Sequence, residues 1–491
     1  MVELAGRARP GDYDVVVVGS GPGGLQTAYW LRRLGVDHAV ISADEAPGGM
    51  FRVWPIFGRL LSWSKPDAPY PTTSREYEWH DHNSLVADEP RLRAFVPQAM
   101  DRRYAVPTRE EMVAGHAAFA DRAGIAIRYG CRWEATRREP DGRLVLETTG
   151  GEYRCRAVVF AIGVTEPWRS PIPGIDTVPH YAETRDAASY RGRRVFVIGK
   201  RNSGFELADG LLPWARQLIV ASPSPVRAEV LARSTVRVRY FQPLEDARVG
   251  GGTLALDAAI ESIERVGERF RIRAQGTTQP GEILFEVDDV IAATGFRAPL
   301  LDLPALGVVT VAQGRIPALT PFFESTSVPG IFFAGNATQG ASGLRRDGVV
   351  STSAAVQGFR YNARIVAKEL AERLGRPRRR GRVDPGKLPS LLGEALARSP
   401  ELWAQKGYLA HAVSLDGRVE GVVPLEHFVD APGEADGVAV TVELDRDGGI
   451  FPSVYVRRQR RLRIERLDPH PLHAFDGEPY QRRLAQLLGA V

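Results

Sequence analysis

The stretch Asp14-Val15-Val16-Val17-Val18-Gly19-Ser20-Gly21-Pro22-Gly23-Gly24 decides the fold. Four consecutive valines running into glycine read as a buried parallel strand. The glycines match G-x-G-x-x-G, and the pattern continues as a helix from about Gly23 to Leu34. Gly19 permits a tight turn, Gly21 lets the backbone approach a pyrophosphate, and Gly24 lets helix and strand pack closely. The start of that helix offers unpaired N–H groups and a positive dipole end to a diphosphate. Ala39–Ser42 reads as the next strand. About 20 residues after the glycines, such a βαβ unit places an acidic residue that holds a ribose. Here that position is Ser42, with Asp44 and Glu45 just beyond it as substitutes.

A second unit of the same kind covers Arg194–Leu212. The strand Val195–Ile198 runs into Gly199-Lys200-Arg201-Asn202-Ser203-Gly204. The middle glycine is replaced by Arg201, whose side chain either crowds a diphosphate or pairs with it. Spacing and helix start are preserved, which favours binding. The next strand, Leu218–Ala221, is followed by Ser222, Ser224 and Arg227. Hydroxyls and a guanidinium there suit the 2′-phosphate of NADP better than the 2′-hydroxyl of NAD. NADPH is therefore the expected reductant, with NADH the alternative.

Further strands are expected at 126–129, 144–148, 157–161, 283–294 and 331–335. A helix over 108–123 would be capped by Thr108, with Glu110 and Glu111 in its dipole-favoured first turn. Residues 50–108 show no clean period and are rich in aromatic residues, which argues for an ordered functional loop. Trp54, Trp63 and Trp79 are candidate pocket-lining residues within it. His80 and His82 flank Asp81, but no third ligand group accompanies them, so no metal site is expected. Residues 376–383 form a basic Pro/Gly linker. Beyond them, a helix near 388–398 and alternating stretches at 437–444 and 453–457 point to a small α+β or β-rich module.

The chain has 491 residues, 44% hydrophobic and 25% charged, with a net charge of +5. That composition is ordinary for a globular protein of two to four domains. No nucleic-acid-binding signature accompanies the positive charge, so no nucleic-acid partner is expected. Two cysteines, Cys131 and Cys155, form no C-x-x-C pair, which excludes a disulfide scaffold and a dithiol of that type. They fit a reducing, cytoplasmic setting. No apolar run is long enough to insert into a membrane.

The order of further motifs carries a resemblance. They are Pro47-Gly48-Gly49-Met50-Phe51, Ala161-Ile162-Gly163, Ala293-Thr294-Gly295-Phe296 and Phe333-Ala334-Gly335-Asn336-Ala337. With the two glycine loops, they resemble the two-dinucleotide-domain flavoproteins over residues 12–372. This group includes flavin-containing monooxygenases, N-hydroxylases and thioredoxin-reductase-like enzymes. The resemblance implies an α/β fold with two Rossmann-like domains, one for FAD and one for NAD(P)H, plus the C-terminal module. FAD would occupy residues 12–165 and 291–375, NAD(P)H residues 166–290, and the module residues 384–491.

The resemblance further implies that Gly48 and Gly49 pass under the flavin, with Met50 and Phe51 beside them. Ala161 and Gly163 would border the FAD site, as would Thr294 and Gly295. Gly335 and Asn336 would form the last FAD motif, with Asn336 where the family commonly has Asp. A helix over 349–374 would follow. The segments at 47–51 and at Pro173-Gly174…His180-Tyr181…Tyr190-Arg191 are similar to those of the class B flavin monooxygenases. Ser62-Trp63-Ser64-Lys65 resembles their T-N-x-S-K stretch, with Ser62 in place of the active-site Asn. The catalytic residue is not named by sequence; Ser62, Lys65 and His180 are candidates.

The implied reaction is NAD(P)H reduction of FAD, formation of a C4a-hydroperoxyflavin with O2, and oxygenation of a small-molecule substrate at N, S or a ketone. The alternatives are an NAD(P)H-dependent flavin reductase without oxygen insertion, and a non-catalytic flavin-stabilised binding protein. A homo-oligomer is compatible with each.

Overall fold

The computed structural model describes residues 8–57, 59–226, 240–344, 355–376, 381–430 and 435–489. They fall into two compact units. The first contains Met1–Arg52, Ser62–Val164 and Ala298–Val491; the second contains Val53–Leu61 and Thr165–Arg297.

In the first unit the valine strand forms as read: β1 (Gly11–Val18), whose last four residues are buried. The chain turns at Gly19 into α1 (Pro22–Arg33), buried from Pro22 to Leu31, and returns as β2 (His38–Ile41). α2 (Arg109–Arg122) starts at a capping box: Thr108 Oγ1 accepts from the Glu111 N–H, and the Glu111 carboxylate accepts from the Thr108 N–H. Such a box satisfies two orphan donors at once. β3 (Gly151–Phe160) runs parallel to β1, β2 pairs with β1 on the other side, and Ile331–Phe333 adds parallel to β3. Leu144–Thr148 and Trp133–Arg138 extend the sheet antiparallel. Every strand tip from β1, β3 and Ile331–Phe333 is buried, as a sheet covered on both faces requires.

The second unit repeats the plan. β4 (Arg194–Ile198) leads through Gly199 into α3 (Asn202–Leu211) and β5 (Gln217–Ser222). β6 (Thr253–Val266) lies parallel to β5, and β7 (Asp289–Ala292) parallel to β4. Arg269–Gly276 and Glu282–Val287 add an antiparallel extension. The expected strand 283–294 is thus two strands. Asp288 separates them: its N–H donates to the Arg194 carbonyl and its carboxylate accepts from the Arg194 N–H, turning the chain between sheet positions.

The chain beyond Ala298 rejoins the first unit. The helix Val356–Arg373 packs on α1, with the Arg364 guanidinium 4.6 Å from the centre of the Trp30 ring. Its expected start at 349 lies outside the described residues. A six-stranded antiparallel sheet follows, in the order Gly381–Arg382, Arg418–Pro424, Leu409–Ser414, Gly437–Leu444, Ile450–Arg458, Arg461–Arg466. The expected linker 376–383 is therefore shorter than read, because Gly381 and Arg382 pair with Val419 and Arg418.

The aromatic insert is also not one body. Val53–Leu61 belongs to the second unit, where Glu206 receives both the Phe57 N–H (2.8 Å) and the Tyr181 hydroxyl (2.7 Å). Phe57 lies over Gly210, where an added Cβ would meet the ring at 2.5 Å. The rest of the insert, from Ser62 on, stays in the first unit. Among the described residues no helix is long and apolar enough to cross a membrane.

Candidate functional site: two glycine loops

The first loop is built almost wholly of backbone. Gly19 has φ +113, and a Cβ there would sit 2.5 Å from the Ala161 carbonyl oxygen. A Cβ on Gly24 would sit 1.9 Å from the Gly19 carbonyl oxygen. Both glycines are thus imposed by the packing of strand, turn and helix. Gly23 and Gly335 meet similarly: a Cβ on Gly23 would lie 2.5 Å from the Gly335 Cα. A Cβ on Gly49 would lie 2.8 Å from the Gly21 Cα. Gly48 N–H donates to the Ser20 carbonyl (3.2 Å), which fixes this approach. Four chain segments therefore converge at the start of α1 with no side chain between them. Gly21 caps α1 without a side-chain hydrogen bond, and no acidic residue lies in the first turn. The chemistry offered is N–H donors and the positive end of a 12-residue helix, which suits a diphosphate.

Around this floor, Ser42 is buried and turned inward, its Oγ 2.9 Å from Ser20 Oγ. Asp44 is half-buried; its N–H donates to Ser42 Oγ and its Oδ2 stands 3.5 Å from Ser20 Oγ. Met50 and Phe51 lie in the short helix Gly49–Arg52, both half-buried. Phe51 meets the ring of His116 edge-on at 5.9 Å. Ala161 N–H donates to Val18 O, and Gly163 turns with φ +71. Asn336 accepts a hydrogen bond from Gln339, within the short helix Gly335–Gly340.

The second loop uses the same outer geometry. A Cβ on Gly199 (φ +124) would meet the Ala293 carbonyl at 2.4 Å, and one on Gly204 the Gly199 carbonyl at 2.0 Å. The inner positions differ. Arg201 is exposed at the cap of α3 and makes no side-chain capping bond; Asn202 and Ser203 are half-buried. Ser222 ends β5, half-buried. Arg227 lies outside the described residues.

Thr294, Gly295 and His180 form one clamp in the second unit. Thr294 Oγ1 donates to the Trp168 carbonyl (2.6 Å), and Trp168 N–H donates to the Gly295 carbonyl (3.0 Å). His180 is fully buried. Its Nε2 lies 2.9 Å from the Gly295 carbonyl, and its Nδ1 accepts from the Ala182 N–H at 3.2 Å. That pairing fixes the neutral Nε2–H tautomer, and burial holds the ring's pKa below its ordinary value. Both nitrogens of His180 are thus committed to backbone groups.

Ser62 and Lys65 sit in a strand-like turn against residues 80–83. The Ser62 carbonyl accepts from Asn83 Nδ2 (3.1 Å), Lys65 N–H donates to the His80 carbonyl (2.7 Å), and Lys65 Nζ stands 5.0 Å from the Trp63 ring centre. The three tryptophans have separate partners: Trp54 packs on Phe296, Trp63 on His82, Trp79 on Trp403. Among the described residues no group of three or more His, Cys, Asp or Glu is arranged to hold a metal.

A buried polar network escaped the sequence reading. Arg360, fully buried, donates to the carbonyls of Asp81 and Ser84 (both 2.8 Å) and of Glu78 (3.2 Å). Tyr361 donates to Glu78 (2.7 Å), whose carboxyl is pushed up by burial. Arg75 bonds Glu401 of the C-terminal module at 2.7 Å. From the same module, Gln405 donates to Asn362, which donates to Thr338, which donates to the Gly335 carbonyl. The only signal for this was an arginine on the apolar face of the helix Val356–Arg373.

The comparisons agree with the geometry. The family model for pyridine nucleotide-disulphide oxidoreductases matches residues 16–335, and the chain belongs to that family. Its relatives include FAD-dependent oxidoreductase domain-containing proteins, ferredoxin–NADP reductases and flavin-containing monooxygenases. It is 26% identical over 429 residues to the FAD-dependent oxidoreductase domain-containing protein 2 of Danio rerio, covering 75% of this chain and 60% of that protein. The chain thus spans about three fifths of that relative's length. It is 28% identical over 348 residues to a ferredoxin–NADP reductase of Salinispora arenicola, covering 67% of this chain and 87% of that protein. Among solved structures, a flavin monooxygenase from Stenotrophomonas maltophilia aligns with TM-score 0.56 at 22% identity, covering 74% of this chain and 99% of that one. That likeness shows the fold.

Proposed function

We propose that the first glycine loop holds the diphosphate of FAD, that the second holds a nicotinamide nucleotide, and that hydride passes from nucleotide to flavin. The observation that carries this reading is the side-chain-free convergence of Gly21, Gly23, Gly49 and Gly335 at the uncapped start of α1. Backbone packed this closely leaves the N–H groups at the start of α1 unobstructed by side chains, which suits a phosphate-bearing ligand. Bound FAD supplies the redox chemistry. The chain's own residues bind and orient. Gly19 to Gly24 and Gly335 face the diphosphate, Asp44 the ribose, and Gly48 to Phe51 the ring region. Arg201 faces the nucleotide diphosphate, and His180, Thr294 and Gly295 fix the chain where it leaves β7.

Both cysteines are buried, and burial pushes the Cys155 thiol up to about 12. A thiolate relay next to the flavin is thus disfavoured, and reducing equivalents would go to oxygen and a small-molecule substrate. The ferredoxin–NADP reductase relative supports a second reading, transfer to a protein acceptor.

The test uses the purified yellow protein. Anaerobic NADPH is expected to bleach the flavin. Aerobic turnover with amine, thioether and ketone probes is expected to yield an oxygenated product in step with NADPH consumption. Bleaching with no oxygenated product, but rapid reduction of a ferredoxin, would select the second reading. A flavin bleached by neither NADPH nor NADH would refute both.

A further inference from the structure

The C-terminal sheet lies beyond residues 16–335, the span that defines the family, yet a side chain at its foot reaches the floor of the first glycine loop. Gln405 stands just before the strand Leu409–Ser414. Its backbone is fixed: its N–H donates to the Glu401 carbonyl (3.0 Å), and its carbonyl accepts from the N–H groups of Tyr408 (3.0 Å) and Leu409 (3.1 Å). Its side chain is fully buried and donates from Nε2 to Asn362 Oδ1 (2.6 Å). Asn362, on the helix Val356–Arg373, donates from Nδ2 to Thr338 Oγ1 (3.1 Å). Thr338 donates to the Gly335 carbonyl (2.7 Å). Asn362 and Thr338 are fully buried as well.

The direction of this chain is set at its far end. The Gly335 carbonyl can only accept, so the Thr338 hydroxyl gives it its one proton. The hydroxyl oxygen then accepts, which turns the Asn362 NH2 toward Thr338 and the Asn362 oxygen toward Gln405. Only a donor at position 405 completes the sequence. Each bond fixes the rotor of the next, and bonds in such a chain polarise one another. What they hold is close to the loop: Gly335 turns with φ +72, and a Cβ on Gly23 would lie 2.5 Å from its Cα. A turn packed this closely sets the space left for a diphosphate.

Docking of the C-terminal module does not depend on this chain. Arg75 bonds Glu401 at 2.7 Å, the Tyr408 hydroxyl donates to the Pro321 carbonyl (2.8 Å), and the Trp79 and Trp403 rings meet edge-on at 5.3 Å. For packing alone, an apolar side chain at position 405 would bury at less cost than an amide. We infer that Gln405 is a positioning residue of the flavin site. Through Asn362 and Thr338 it holds the Gly335 turn against the first glycine loop, so the C-terminal module sets how tightly the chain keeps FAD. The inference rests on the reading of that loop as the FAD site.

The test measures the FAD dissociation constant of the full-length chain, from the fluorescence of released flavin, in the wild type, Gln405→Met, Thr338→Val and the double variant. Methionine fills similar space without a donor, and valine keeps the branched shape without the hydroxyl. Each single variant is expected to weaken FAD binding by about tenfold, the scale of one buried hydrogen bond. The double variant is expected to be no weaker than either single one, because both substitutions break the same chain. Thr338→Ser keeps the hydroxyl and is expected to stay within about twofold of the wild type. A residue that only stabilised the module would lower the melting temperature and leave the FAD constant where it was. An unchanged constant in Gln405→Met, or a double variant weakened by the product of the two single effects, would overturn the inference. If Gln405→Met does not fold, hydrogen exchange of the wild type decides, since coupling between two places is reciprocal. The Tyr408 and Leu409 amides are expected to exchange faster once FAD is removed, and equal exchange would overturn the inference. A wild type that binds no FAD refutes the flavin reading itself. A yellow wild type beside an equally tight Gln405→Met leaves that reading intact and removes only the role of Gln405.

Discussion

The two glycine loops share one skeleton and differ in what fills it. In both, the first glycine would clash with the carbonyl of a neighbouring strand end, at 2.5 Å for Gly19 and 2.4 Å for Gly199. In both, the last would clash with the carbonyl of the first, at 1.9 Å for Gly24 and 2.0 Å for Gly204. The inner positions are Gly21 and Gly23 in one loop, and Arg201 and Ser203 in the other. Outer glycines are thus the signature of a strand–turn–helix that folds, with or without a ligand. Inner glycines record what else must come close: in the first loop, the backbones of Gly49 and Gly335. One motif therefore carries two separate physical demands, and only the second bears on binding.

The hardest blow to that distinction would fall at Gly23. In Gly23→Ala the new methyl lies 2.5 Å from the Gly335 Cα, a backbone atom that cannot rotate away. The expected outcome is a chain purified with little or no flavin and a lowered melting temperature, since overpacking of this kind costs about 1–3 kcal/mol or more. Flavin-to-protein absorbance ratios check it. A stoichiometric yellow Gly23→Ala protein would mean that the Gly23–Gly335 contact does not shape the site.

Each unit holds a buried histidine whose pKa burial lowers, His116 in the first and His180 in the second. In the first, His116 is fully buried, with Nε2 on the Asn83 carbonyl (3.2 Å) and Nδ1 without a partner among the described residues. Burial pushes its pKa down to about 4. The unfolded chain protonates this ring near 6.5, while the folded chain resists until about 4. Between those values the unfolded state binds more protons, so stability present above pH 6.5 is lost as pH falls toward 4. The loss amounts to about 3 kcal/mol for this one ring. Because His116 touches Phe51, flavin release is expected to accompany the transition. Melting curves and flavin fluorescence from pH 7.5 to 4.5 follow both, and His116→Gln is expected to flatten the pH slope. An unchanged slope in that variant would assign acid sensitivity elsewhere.

Much of this was legible before any coordinates. Local rules sufficed for β1, the turn at Gly19, the helix cap at Thr108, and the strands at 144–148 and 437–444, because alternation, glycine and cap chemistry act over a few residues. Long-range contacts were not legible. Nothing near Lys200 announces its ion pair with Asp257, which is 57 residues away. Nothing near Gly335 announces Gln405, which reaches it through Asn362 and Thr338. The insert misled for a related reason. Its aromatic residues share a composition but not a location, so Trp54 joins Phe296 while Trp79 joins Trp403. Arg227, called on for a 2′-phosphate, lies outside the described residues.

Arg201→Gly would make the second loop's middle position match the first. If the guanidinium pairs with the nucleotide diphosphate, the KM for NADPH is expected to rise by about tenfold with flavin content unchanged. A fall in KM would show that Arg201 crowds the loop, and the resemblance between the loops would then extend to their inner positions.

The smallest effect is expected at Ser203, which occupies the same place in its loop as Gly23. Its residue already carries a Cβ, so the steric demand seen at Gly23 is absent by construction. Ser203→Ala changes one hydroxyl in the first turn of α3, where the helix preference of alanine offsets what is lost. A stability change within about 0.5 kcal/mol is expected, with flavin content intact. Denaturant melts of the wild type and Ser203→Ala, run beside Gly23→Ala, place two one-methyl-scale edits at matched positions on one axis. If Ser203→Ala were as damaging as Gly23→Ala, the inner positions of both loops would be under the same packing constraint, and the difference between the units would have to lie in the nucleotides they meet rather than in the backbones around them.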